Sequence, residues 1–257
     1  MICLIKIMAL QEDLEKHGNW LFKYRGILPV IILFIGTGVY IHAKIYHKSL
    51  IFEDNFYGAY YEQFCLIISL IGLFIRIYTV GHTPANTSGR NTTNQVADYL
   101  NVTGIYSIVR NPLYLGNFMM WLGVAFLTLN MWFIIVFCLA YWIYYERIIF
   151  SEEQFLIRKF GKSYTDWADK TPAFFPKFSK FIKPSIPFSW KKVLKKEKNG
   201  FLALFLVFSG FNIIGEIINK QNQYNYYFIT VCIISIILYC VLKFLKKKTH
   251  VLNEINR

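Results

Sequence analysis

The stretch GIYSIVRNPLYLGNF, residues 104–118, places an arginine, an asparagine and a proline directly before an apolar run. Each of the three opposes burial in lipid, so their position relative to the membrane decides how the surrounding chain is read. The chain has 257 residues, 55% hydrophobic and 19% aromatic, with a mean hydropathy of +0.37. That exceeds the usual globular composition and points to an integral membrane protein. The net charge of +13 does not form a stripe on a soluble face: lysine and arginine collect between and after apolar runs. Anionic lipid is therefore the expected neighbour, and a nucleic-acid partner is not expected.

A bilayer core of about 30 Å needs roughly 20 apolar residues per helix. Six runs meet that requirement: 26–46, 60–80, 113–129, 131–150, 201–218 and 226–245. The third and fourth are separated by Asn130 alone, which makes them an antiparallel hairpin. The expected fold is an all-α polytopic bundle of about six transmembrane helices, the hairpin bearing the active site. The 151–200 segment is rich in lysine, and the tail adds Lys243 and Lys246 to Lys248. Both should be cytoplasmic, and counting back puts the N-terminus and the 81–112 loop on the same side. Sequons at Asn86, Asn91 and Asn101 then have no access to glycosylation.

With this map Arg110 and Asn111 stand at the cytoplasmic membrane surface, Pro112 takes a first helical turn where proline is tolerated, and Tyr114 lies inside. An ordinary interfacial helix start would account for them, with Arg110 on lipid phosphate and Tyr106 and Tyr114 in the aromatic belt. A second polar cluster argues for more. In YYERIIFSEEQFLIRKFGKSY, residues 144–164, Glu146 and Arg147 fall at the end of the fourth run, and Glu152 and Glu153 follow at once. Ionisable groups at membrane depth face a cavity, partner or ligand by default. Helical spacing puts Glu146, Phe150 and Glu153 on one face, with Arg147 and Glu152 pointing elsewhere. The hairpin brings both clusters to one end.

Residues Gly104, Tyr106, Val109, Arg110, Asn111, Pro112, Tyr114 and Gly116, followed after a hairpin by Arg147, Glu152, Glu153, Leu156, Phe160, Gly161, Tyr164, Pro172 and Pro176, carry a resemblance. Over about residues 79–176 the chain resembles the isoprenylcysteine carboxyl methyltransferase and phospholipid methyltransferase superfamily of membrane enzymes. The resemblance implies S-adenosylmethionine as donor, bound on the cytoplasmic side between the two motifs. No soluble nucleotide-binding loop is present: GTGVY at Gly36 lacks the third glycine and sits inside a span. The implied donor site comprises Gly104, Tyr106, Arg110, Asn111, Pro112, Tyr114, Glu152 and Glu153. A carboxylate suits ribose hydroxyls, and Arg110 and Asn111 suit the donor's carboxylate and amine. Arg147 is the candidate for positioning an anionic acceptor, and Glu146 for a base toward an amine.

The chain departs from the family in having Asn111 where histidine is frequent, and in placing Arg147 five residues before Glu152. The implied acceptor is a lipid or lipid-linked group, with prenylcysteine carboxylate, phospholipid amine and glycolipid phosphate all open. No metal site is expected, because the histidines have no ligand spacing. The expected organisation is a two-span region at 1–80, a methyltransferase core at 81–176, a basic membrane-surface linker at 177–200, and a two-span extension with basic tail at 201–257. Residues 81–95 form an expected lid with His82 and Arg90. A bacterial inner membrane is the expected location. The competing class is a non-catalytic small transporter or scaffold, in which the buried charges serve a permeation route or a subunit contact.

Overall fold

The structure is a computed structural model that describes residues 10–46, 55–85, 87, 95–219 and 226–254. Asn86, Arg90 and Asn91 lie outside the described residues. The helices are α1 (Leu10–Lys23), α2 (Ile27–Tyr46), α3 (Asn55–Gly81), α4 (Pro112–Leu127), α5 (Met131–Phe160), α6 (Lys162–Ala168), α7 (Trp190–Ile218) and α8 (Tyr226–Lys248). Among the described residues there is no strand, and one isolated bridge joins Gly104 to Ile182. The protein is an all-α polytopic membrane bundle.

Among the described residues five helices are long and apolar enough to cross a bilayer: Ile27–Tyr46, Tyr60–Gly81, Met131–Phe160, Trp190–Ile218 and Tyr226–Lys248. The third expected span, α4, is shorter. Its 16 residues rise about 24 Å at 1.5 Å per residue. Pro112 starts it at the first turn, and the Thr128 hydroxyl ends it by donating to the Ala125 carbonyl at 2.7 Å. The hairpin then turns through Leu129, at φ 49°, and Asn130, whose Oδ1 accepts from the Phe133 amide at 2.9 Å and caps α5. Large apolar side chains such as Phe34, Phe74 and Trp132 face outward, as a lipid-facing surface requires.

Helices α3 and α4 pack closely because small residues line their contact. A Cβ on Gly116 would lie 2.6 Å from Arg76 Cγ and 2.8 Å from the Gly72 carbonyl, so neither wall leaves room for one. The Ser69 hydroxyl donates to the Met120 carbonyl at 2.7 Å across the same contact. The end of α1 and the first half of α2 pack against α5 through Phe22, Ile32, Tyr141, Tyr145 and Ile148. A second apolar cluster, including Leu66, Leu73, Val124, Leu204 and Phe208, joins α3, α4 and α7.

One continuous helix crosses the expected boundary at residue 200. Helix α7 begins at Trp190, capped by the Ser189 hydroxyl, which accepts from the Lys192 amide at 3.1 Å. Its first turns are not spread on a surface: Lys192, Val193, Glu197 and Lys198 are buried. Lys192 donates to the Thr83 and Pro84 carbonyls at 2.5 and 2.8 Å, which fastens the start of α7 to the loop after α3. The exposed side chains of Phe178, Phe181 and Ile182 keep the preceding stretch suited to a lipid surface.

Candidate active site

The turn before α4 is shaped by backbone needs. Gly104 has φ 62°, a left-handed conformation that costs a side-chain-bearing residue energy, and its amide donates to the Ile182 carbonyl at 2.9 Å. A Cβ there would also approach Pro184 Cγ at 3.2 Å. The following turn is held to the segment after α6 by three bonds. The Arg110 amide donates to Pro172 at 2.9 Å, the Lys177 amide to Ile108 at 2.9 Å, and Asn111 Nδ2 to Ala173 at 3.1 Å. Trp167 Nε1 donates to the Tyr106 carbonyl at 3.2 Å. The proline-containing exit of the second motif therefore backs the first motif directly.

Arg110 Nη1 lies 2.9 Å from Glu153 Oε1, so the two polar clusters meet as an ion pair. Arg110 Nε is buried without a hydrogen-bond partner among the described residues. Tyr164 faces this pair. Burial first, and the Glu153 charge second, push its phenol above the ordinary value, so it remains protonated. Burial and the charge of Glu152 likewise raise the Tyr106 phenol. Glu152 has Arg25 as its near cation, at 4.0 Å.

A cavity of about 490 Å³ opens where the two apolar clusters meet, within the range of roughly 300–1,000 Å³ typical of small-ligand sites. Tyr106, Arg110, Asn111, Pro112, Tyr114 and Glu152 all line it. These residues come from the turn before α4, the first turn of α4 and α5, as the hairpin demanded.

The family of phospholipid methyltransferases matches residues 63–163. The nickel-cobalt-cadmium resistance protein NccN of Alcaligenes xylosoxydans xylosoxydans is 38% identical over 176 residues, 67% of this chain and 70% of that protein. The protein-S-isoprenylcysteine O-methyltransferases of Schizosaccharomyces pombe and Dictyostelium discoideum are 31% and 30% identical, over 61% and 50% of this chain and 66% and 67% of their own lengths. The chain belongs to the isoprenylcysteine and phospholipid methyltransferase superfamily. No solved structure matches it.

Within this superfamily member the site residues divide unevenly. Gly104 shapes the turn from outside the cavity lining, and Glu153 acts on the cavity through Arg110. Glu146 is exposed, and Arg147 is half-buried, its carbonyl packed against Gly18 of α1; neither lines the cavity. The face of α5 turned inward carries Tyr145, Glu152, Phe155 and Leu156, spaced by three, four and seven residues, so it is offset from the Glu146 and Glu153 stripe. His82 is held away from the cavity, its Nδ1 lying 2.8 Å from the Ile186 carbonyl and its ring against Phe188.

Several cavity residues carry no motif. Arg25, Arg76, Asn117, Lys196 and Glu197 line it as well. Arg76 donates through Nε and Nη2 to the two Glu197 oxygens, each at 2.8 Å, and through Nη1 to Asn117 Oδ1 at 2.7 Å. The signal for Arg76 was available: it is an arginine inside the second apolar run, where a charge is costly. Glu197 had none, since it sits in a lysine-rich stretch that reads as solvated.

Proposed function

We propose that the protein transfers a methyl group from S-adenosylmethionine to a lipid or lipid-linked acceptor, working at the cytoplasmic face of a bacterial inner membrane with both termini on that side. The observation that carries this reading is that Arg110 and Glu152, from two separate motifs, line one polar end of a cavity whose remaining walls are largely apolar. The methyltransferase core corresponds to residues 81–176, with the helices on either side enclosing it.

The residues fit such a donor. Arg110 retains a buried N–H beyond its ion pair with Glu153, which suits a carboxylate. Glu152 offers carboxylate oxygens to paired hydroxyls, and the protonated Tyr106 phenol is available to donate. Asn111 Nδ2 is engaged by Ala173, so it orients the turn rather than titrating, and a neutral amide serves that task where the family often has histidine. The donor, when bound, supplies a methyl group made electrophilic by an adjoining sulfonium.

The chain's contribution is then positioning and exclusion of water. An in-line displacement gains most of its rate from holding the reacting groups close and collinear. The aromatic wall of Tyr114 and Tyr145, with ring centroids 5.0 Å apart, supplies a rigid dry side to the cavity. The acceptor roles expected of Arg147 and Glu146 pass to charged groups that do line the cavity.

Calorimetric titration of the detergent-purified protein with S-adenosylhomocysteine tests this reading without knowledge of the acceptor. Saturable binding that weakens at least tenfold in Glu152→Gln and is unchanged in Glu146→Gln is expected. A folded sample that binds nothing would leave the membrane fold standing and remove the donor site.

A further inference from the structure

The cavity extends beyond the motif residues, and its far wall is helix α7. Lys196, Glu197, Gly200, Ala203, Leu204 and Val207 line it. They recur at intervals of three and four, so they form one stripe on one helical face. Opposite them α4 turns Leu113, Asn117, Met120, Trp121 and Val124 inward with the same spacing. Two helices thus present matching stripes across one slot, charged at the Lys196 end and apolar toward Val207. The stripe from Lys196 to Val207 rises about 16 Å, roughly half the hydrocarbon thickness of a bilayer.

Three further observations say what the slot takes. Gly200 is open: a Cβ there would meet Glu197 Oε2 at 3.4 Å, Met120 Cε at 3.9 Å and Leu73 Cδ1 at 4.0 Å, ordinary contact distances. The glycine is therefore not forced by packing of backbones, and it leaves width for a ligand. Ala203 lines the slot and is itself exposed, so the slot is open at that level of the helix. With Glu153, the partner of Arg110, included, the charge balance around the slot is still positive: Arg25, Arg76, Arg110 and Lys196 against Glu152, Glu197 and Glu153. The two carboxylates that line the slot also have arginine neighbours, Arg25 for Glu152 and Arg76 for Glu197.

We infer that α7, which lies outside the family-matched residues 63–163, builds the acceptor subsite: the stripe from Gly200 to Val207 holds an apolar chain, and the Lys196 end holds an acidic head group, carboxylate or phosphate. This rests on the donor-site reading above. An oxyanion acceptor attacks with an existing lone pair, so the new carbon–oxygen bond forms as the carbon–sulfur bond breaks, and no proton has to leave. The charge of the anion and that of the sulfonium cancel, which a low-dielectric slot favours. The Arg76–Glu197 pair is a positioning device here. It holds α7 against α3 and, through Asn117, against α4, and so sets the slot's width.

The test uses the full-length protein in detergent, loaded with S-adenosylhomocysteine, and three single-chain amphiphiles of equal chain length: a fatty acid, an alkyl phosphate and an alkylamine. The acids should bind saturably, and the amine at least tenfold more weakly. The fatty acid binding and the phosphate not, or the reverse, identifies the head group within the acidic class. Gly200→Leu and Val207→Trp, tested separately, should each weaken the acid amphiphile at least tenfold while keeping S-adenosylhomocysteine affinity within twofold, which also reports that the variant is folded. Lys196→Gln should weaken the acids and narrow the gap to the amine.

Equal binding of amine and acid, or an unchanged acid affinity in whichever slot variant keeps the donor product bound, overturns the assignment to α7. Loss of S-adenosylhomocysteine binding by the unmodified protein would instead overturn the donor-site reading on which it stands.

Discussion

Helices α3 and α7 are joined by two buried polar clusters, and the two behave differently. At one end Arg76 pairs with Glu197 and Asn117, and all three border the cavity. At the other, Asn212 Nδ2 donates to Glu62 Oε2 at 3.0 Å, with Lys44 and Glu216 as charged neighbours and Tyr40 packed close to Gly215. The distance along α3 between Glu62 and Arg76 is about 21 Å at 1.5 Å per residue, so the clusters mark opposite ends of one helix pair. None of Tyr40, Lys44, Glu62, Asn212 and Glu216 lines the cavity. Burying charge in a membrane helix therefore does not by itself mark a site. Charge that borders open space beside a second polar motif does, because a ligand can then compete for it.

The comparison breaks first on the Arg76–Glu197 pair. Removing one member of a buried ion pair strands the other, which costs about 3–5 kcal/mol. Glu197→Ala should therefore lower the thermal midpoint in detergent strongly, and the apolar double variant Arg76→Met with Glu197→Leu should recover much of it. A near-neutral Glu197→Ala would show that α7 is not held by this pair. Next in size, Glu152→Gln should weaken S-adenosylhomocysteine about 10- to 100-fold, the equivalent of a lost charge-assisted bond of about 1.5–3 kcal/mol, with the midpoint unmoved. A fall in the midpoint with affinity intact would make Glu152 structural and erase the contrast.

The far cluster should respond in the opposite sense. Glu62→Gln keeps the shape and removes the charge, and about 1–2 kcal/mol of stability should go with it while donor-product affinity stays within twofold. An affinity loss there would mean that the two ends of the helix pair are coupled. The smallest expected effect is Tyr164→Phe, which removes a neutral hydroxyl facing Arg110 and Glu153. About 0.5–1.5 kcal/mol is at stake, seen as a few-fold weaker titration of S-adenosylhomocysteine.

Much of the motif-bearing end of the cavity was legible in the chain. Pro112 preceded by Arg110 and Asn111 marks a helix start at a surface, Asn130 marks the hairpin, and the hairpin forces the ends carrying Arg110 and Glu153 together; the structure pairs those two at 2.9 Å. The choice between neighbouring charges was not legible. Spacing alone grouped Glu146 with Glu153, whereas the inward face of α5 follows Tyr145 and Glu152. A helix offers every face equally until its partners are known, and here α1 takes the Arg147 side by way of Gly18. The lysine-rich 190–200 stretch misled for a related reason. Lys192 and Glu197 look solvated by composition, yet each is buried against a partner more than a hundred residues away.

Membrane residence, the α4–α5 hairpin and the pairing of two motifs at its polar end follow from local pattern, because hydropathy, turn residues and helical period act over a few neighbouring positions. The cavity and its far wall do not. Whether Arg76, Asn117, Lys196 and Glu197 share a space depends on how α3, α4 and α7 are rotated and how closely small residues such as Gly72 and Gly116 let them approach. Those rotations are settled by packing between segments far apart in the chain, so no linear pattern records them.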